Sequence, residues 1–223
     1  EYRMVNITAN EGTADITAAF LEQSSDIFRH CTEPGWENFA VNRNVDNNLR
    51  FPENVINKGH DDGQILSGAL WDLGKTIGID YAEMATHFAR YEAPDGYVLE
   101  EAFSNWFEAI LKASDEGGKT FDVFQEVLDA FDKHGIGFNL LAKTRFQHEN
   151  MEDIKELNKP IPVTAIMPEL YVPTQVSEVW VNYYTNFDSE IKSIPLTQDG
   201  EKFSTNIPGL SKASRLYYYF TFK

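Results

Sequence analysis

The order of apolar and polar positions divides the chain into a helical part and a part with two-residue alternation. Residues 59 to 78, GHDDGQILSGALWDLGKTIG, carry the clearest helical stripe. Leu66, Leu70, Leu73 and Ile77 recur at three- and four-residue spacing, and Ile65, Ala69 and Trp71 widen the buried side. Asp61 and Asp62 are expected at the N-cap and first turn of this helix, with His60 held in the acidic turn just ahead of it. Gly63, Gly68 and Gly74 lower helix propensity and allow close packing.

The same reading predicts a helix over residues 8 to 29, from Ala14, Ala18 and Leu21 with Ile16, Ala19, Phe20 and Ile27. Further helices are expected over 81 to 89, 99 to 113 and 121 to 134. Phe103, Phe107, Ile110 and Leu111 line one, Phe124, Val127, Leu128 and Phe131 another, and Gly135 is its stop. Residues 32 to 58 show little periodicity and seven asparagines between Asn38 and Asn57, which predicts a long irregular loop.

From Gln147 to Pro162 the sequence QHENMEDIKELNKPIP is charged and prolyl, and is expected to form a short helix and linker. Beyond it the period becomes two. Val179, Val181 and Tyr183, then Ile191 and Ile194, Phe203 and Ile207, and LYYYFTF from Leu216 predict four or five antiparallel strands, with a hairpin turn at Asp199-Gly200. The expected fold class is multi-domain α plus β. A helical lobe spans 1–146, a linker 147–162, and a small immunoglobulin-like or fibronectin-like β module 163–223. At about sixty residues this module is short for a complete sandwich, and it is expected to be truncated.

The chain has 223 residues, 42% of them hydrophobic, enough for one core plus a small satellite. A net charge of -16 argues against nucleic acid or an anionic membrane surface as partner. One cysteine, Cys31, excludes an internal disulfide framework and a cysteine-rich zinc module. No apolar run is long enough to span a bilayer. The chain opens at Glu1 rather than Met, so it is expected to be a mature or trimmed piece.

Candidate chemistry rests on two places. Glu11 and Asp15 stand four apart, on one side of the first helix. As a pair they are either a solvated acidic stripe near a helix N-terminus or two carboxylates facing a cation. His60, taken alone, is either an ordinary loop histidine or a group on the lip of a cleft. Asp46, Asn47 and Asn48 offer oxygen donors, but they lack the spacing and glycine of a calcium-binding EF-hand loop, so calcium has no support from pattern. His30, His87, His134 and His148 show no site-like spacing and are expected to be surface or capping residues.

The order His60-x-x-Gly63-x-Ile65-x-x-x-x-Leu70-Trp71-Asp72 resembles the transition-state histidine segment of thermolysin-like and fungalysin-like zinc metallopeptidases. Asn10-Glu11-Gly12-Thr13-Ala14-Asp15 upstream resembles the corresponding gluzincin helix, and VLDAFDKHGI, Val127 to Ile136, is similar to the last helix of their C-terminal lobe. The resemblance covers roughly residues 1 to 140. It implies that Glu11 is a zinc ligand, Asp15 orients a ligand histidine, and His60 stabilises the oxyanion formed when zinc-activated water attacks a peptide bond. Tyr2, nine residues before Glu11, would share that last role.

The His-Glu-x-x-His helix of such enzymes is absent; His148-Glu149-Asn150-Met151-Glu152 ends in the wrong residue. The expected identity is therefore the C-terminal lobe of a secreted or cell-surface zinc endopeptidase acting on proteins or peptides, its His-Glu-x-x-His-bearing N-terminal lobe lying upstream. This chain alone is expected to be inactive. A non-catalytic binding or assembly module is the alternative. A sugar-binding module is a third reading; it would place tyrosines of the tail on one exposed sheet face, whereas alternation assigns most of them to the core.

Overall fold

The computed structural model describes residues 2–27, 43–116, 120–168 and 178–222. The chain forms two compact units, Glu1–Thr144 and Arg145–Lys223. Among the described residues, six helices and two small antiparallel sheets make it an α plus β protein.

The first unit holds α1 (Tyr2–Glu22), α2 (Gly59–Ile77), α3 (Ile79–Glu92), α4 (Leu99–Glu116) and α5 (Thr120–Lys133), with α6 (Phe138–Arg145) at its end. Helix α2 is the centre. Ile65, Leu66, Ala69, Leu70 and Leu73 are fully buried, and α1, α3 and α5 all pack on it. Around it Ile16 of α1, Phe103, Phe107 and Ile110 of α4 and Phe131 of α5 complete the core, each such side chain contributing roughly 1.5–3 kcal/mol. Phe107 and Phe131 meet at 5.3 Å, and Phe20 stacks on Trp71 at 6.1 Å.

The helix ends differ from expectation in an instructive way. Asp61 is not the N-cap of α2, a position Lys58 holds; Asp61 and Asp62 both lie in the first turn, as expected for Asp62. The helix starts at Gly59, so His60 is in its first turn, because the buried Asp62 reaches back to accept the backbone N–H groups of Ile56 (2.8 Å) and Lys58 (3.0 Å). Helix α1 runs from Tyr2 and stops at Glu22 rather than reaching residue 29; Gln23 takes a left-handed φ of 50° and Asp26 bridges to Asn44. Helix α5 closes as the sequence suggests. Gly135 (φ 71°) donates to Asp132 and Ile136 to Phe131, both at 3.0 Å, which is a Schellman cap.

The second unit contains β1 (Ile161–Ile166), β2 (Val179–Thr185), β3 (Lys192–Pro195), β4 (Thr197–Asp199), β5 (Lys202–Ile207) and β6 (Leu216–Phe222). They form sheets ordered β1-β5-β4 and β3-β2-β6, antiparallel throughout. The chain passes from one sheet to the other at Leu196, which is buried. Ile161, Val163 and Ala165 face inward from β1, as do Val179, Val181 and Tyr183 from β2 and Phe203 and Ile207 from β5. The β4–β5 hairpin turns at Asp199-Gly200, where Gly200 has φ 60°. No helix forms between Gln147 and Pro160; the segment expected to be a linker instead ends in β1. Among the described residues no helix is long and apolar enough to cross a membrane.

Candidate active site

Glu11 and His60, far apart in sequence, are in direct contact. His60 Nδ1 donates to Glu11 Oε2 at 2.9 Å, with the imidazole half exposed and the carboxylate about one-third exposed. The contact follows from how α1 and α2 cross. Gly12 and Gly63 face each other, and a Cβ on Gly63 would stand 2.7 Å from the Thr8 carbonyl oxygen and 2.8 Å from the Gly12 nitrogen. A Cβ on Gly59 would meet Ile7 at 2.9 Å. Side chains at these positions would hold the helices apart. Glycines let the backbones touch and bring the flanking polar residues within hydrogen-bond range.

One turn after Glu11, Asp15 is buried, and both of its oxygens face Arg43 Nη1, at 2.9 and 3.3 Å. Burial pushes the Asp15 carboxyl above its usual range; Arg43 pulls it back without cancelling the rise, and His60 and Glu11 add smaller opposing effects. Glu11, Asp15 and His60 therefore share one electrostatic neighbourhood. Arg43 was missed by sequence reasoning, because it lies in the asparagine-rich stretch without local periodicity. Tyr2 opens α1, but its side chain lies outside the described residues, as do Cys31 and His30.

A second polar cluster lies at the far part of α2. Asp72 accepts from Lys75 (2.6 Å) and Lys133, and its Oδ2 is 3.1 Å from His134 Nε2. His134 Nδ1 donates to the Leu49 carbonyl at 2.7 Å, and Gly68 leaves the room its ring occupies. His134 is thus the C-cap residue of α5, but with a fully buried ring rather than a surface one. Burial would raise the Asp72 carboxyl, and hydrogen bonds from Lys133, Lys75 and His134 outweigh it and hold it below its usual value. For His134 burial pushes the imidazole down, against the pull of Asp72 and Leu49. Asp46 pairs with Lys75 at 2.7 Å, and the Asn47 amide donates to Asn44, Val45 and Gln64 carbonyls. These donors tie the loop to α2 and are engaged with protein groups.

A gluzincin zinc ion needs two imidazoles and a carboxylate with a position left for water. Here the chain offers one carboxylate, Glu11, and one imidazole already bonded to it. Among the described residues no group of three or more His, Cys, Asp or Glu is placed to hold a metal. These residues do not by themselves fit a zinc ion. No family model, curated protein or solved structure matches the chain.

Proposed function

We propose that this chain is the C-terminal lobe of a secreted or cell-surface gluzincin-type zinc metallopeptidase, followed by an immunoglobulin-like or fibronectin-like module. The supporting observation is the convergence of Glu11 and His60 on one wall, 2.9 Å apart, although they come from different helices. In this reading Glu11 contributes one carboxylate to a metal whose other protein ligands come from a His-Glu-x-x-His segment outside this sequence. A metal held there would supply an activated water.

The chain's own part is positional. Glu11 fixes the His60 ring through Nδ1, and in this reading Nε2 of the half-exposed ring would be the atom that faces a peptide carbonyl. The buried ion pair of Asp15 with Arg43 anchors the first helix beneath them. The coding sequence immediately upstream of Glu1 is expected to read His-Glu-x-x-His. The polypeptide spanning both is expected to hydrolyse an unstructured protein such as casein and to stop when chelated. An upstream sequence without that motif, or chelator-insensitive cleavage, removes this reading.

A second reading, a peptidase-like lobe kept as a non-catalytic assembly module, is favoured by one observation. Asp15, which should orient a ligand histidine, is occupied at both oxygens by Arg43. Zinc content separates the two: the scaffold contains none.

A further inference from the structure

The register of β2 with β3 and β6 puts Trp180, Asn182, Tyr184, Tyr217, Tyr219 and Thr221 on one face of the β3-β2-β6 sheet, opposite the face that buries Val179, Val181 and Tyr183. Part of the tyrosine-rich tail is therefore not core. Tyr217 is 41% exposed and Tyr219 46% exposed. They sit two residues apart on β6, about 6.8 Å along the strand.

The rings are held in place. Tyr217 stacks on Tyr184 at 5.0 Å and 15°, which fixes its plane while leaving much of it in solvent. Between the aromatics runs a row of neutral hydrogen-bonding groups. Asn182 donates to Thr221 Oγ1 at 3.0 Å and accepts from Ser193 Oγ at 2.6 Å. A shallow open cleft wraps the free edge of β6, with Tyr184, Tyr217 and Tyr219 on this face and His148, Tyr218 and Phe220 on the other. His148 is locked at its rim, donating from Nδ1 to the Thr164 carbonyl (2.7 Å) and accepting at Nε2 from the Tyr218 hydroxyl (3.0 Å). A wall fixed in this way loses little conformational entropy when a ligand binds.

We infer that this face binds a neutral polysaccharide, with the C–H faces of successive sugar rings against Tyr217 and Tyr219 and hydroxyls bonded to tyrosine O–H groups. Charge selects the occupant. None of the side chains that β2, β3 and β6 place on this face is ionic, and the chain as a whole carries -16. Glu178, whose Oε2 accepts from Trp180 Nε1 at 3.0 Å, adds a carboxylate at the start of β2, so nucleic acids, acidic glycans and anionic lipids are repelled. A protein partner would be anchored by a ring entering an enclosed, dehydrated pocket. This face is open, and its rings alternate with the Asn182, Ser193 and Thr221 side chains, which suits an extended polyhydroxylated chain. The inference concerns the second unit alone and is independent of the peptidase reading.

The test is native affinity electrophoresis of the full chain in gels containing soluble β-glucan, mannan or starch, with polygalacturonate as acidic control. At least one neutral polymer is expected to retard the protein, polygalacturonate is not, and the Tyr217→Ala, Tyr219→Ala double variant is expected to bind at least tenfold more weakly. Tyr217→Phe keeps the ring and should retain most of the affinity. No retardation by any neutral polymer, retardation by polygalacturonate alone, or an unaffected double variant would each overturn the inference. Should the double variant not fold, the unsubstituted chain decides by NMR. Oligosaccharide is expected to shift the Tyr217 and Tyr219 ring signals, and unmoved signals overturn the inference.

Discussion

The backbone of Gly63 on α2 rests against that of Gly12 on α1, with no space for a side chain on either. A Cβ at Gly63 would stand 2.8 Å from the Gly12 nitrogen. Glu11 is the residue before one of these glycines, and His60 lies three residues before the other. The crossing thus sets the separation of the two groups on which the functional reading depends.

Gly63→Ala should destabilise the first unit by about 1–3 kcal/mol, because the clash is with backbone that cannot rotate away. The gain in helix propensity, about 1 kcal/mol, offsets only part of this. Urea denaturation reads the effect as a lower midpoint. An unchanged or higher midpoint would mean that the helices separate without cost.

Asp62 bonds the backbone N–H groups of Ile56 and Lys58 and so fixes where α2 begins. Asp62→Ala should cost about 1–2 kcal/mol. It should also speed amide hydrogen exchange over the first turn, His60 included, while the middle of α2 stays protected. Uniform loss of protection across α2 would show that the carboxylate is not a local cap.

The cluster around Asp72 makes a pH prediction. Its folded-state pKa lies below the usual 3.8, so its stabilisation is complete above 3.8 and is lost as pH falls through the lower folded value. Asp72→Asn leaves Lys75, Lys133 and His134 facing an amide and should destabilise by about 3 kcal/mol at neutral pH. The gap from the unsubstituted chain should narrow below 3.8. Denaturant midpoints collected from pH 3 to 7 check this, and a gap independent of pH would contradict it.

Asp15 has the opposite sign. Its carboxyl is raised by burial, so ionising it costs stability as pH rises from 3.8 through the folded value. Arg43→Met removes the partner and should destabilise by about 3 kcal/mol at pH 7, and by clearly less at acid pH, where Asp15 is neutral. Equal destabilisation at both pH values would mean that Arg43 acts through packing alone.

What could be read from the sequence was what repeats locally. Leu66, Leu70 and Leu73 mark the inner face of α2, and all three are fully buried; Phe107 and Phe131 announce α4 and α5 in the same way. The alternation of Val179, Val181 and Tyr183 marks β2. The start of α2 is not legible because the N-cap is Lys58 rather than Asp61, and Asp62 acts backward from the first turn, on residues four and six positions earlier. Arg43 escaped notice because its partner Asp15 is 28 positions away, and no periodicity records an ion pair. His134 fits the expectation of a capping residue at the end of α5, but its burial is not legible because a cap position is usually wet and the space opened by Gly68 draws the ring inside. Strand β1 was hidden by Pro160 and Pro162, which read as linker although Pro162 sits on an exposed position of an edge strand.

The most direct measurement compares two variants in the polypeptide that includes the upstream coding sequence, with zinc content and peptide hydrolysis determined side by side. Glu11→Ala is expected to lose both the metal and turnover. His60→Ala is expected to keep the metal while kcat falls by about 10²–10³. Full turnover in the His60 variant, or full zinc in the Glu11 variant, would contradict the account.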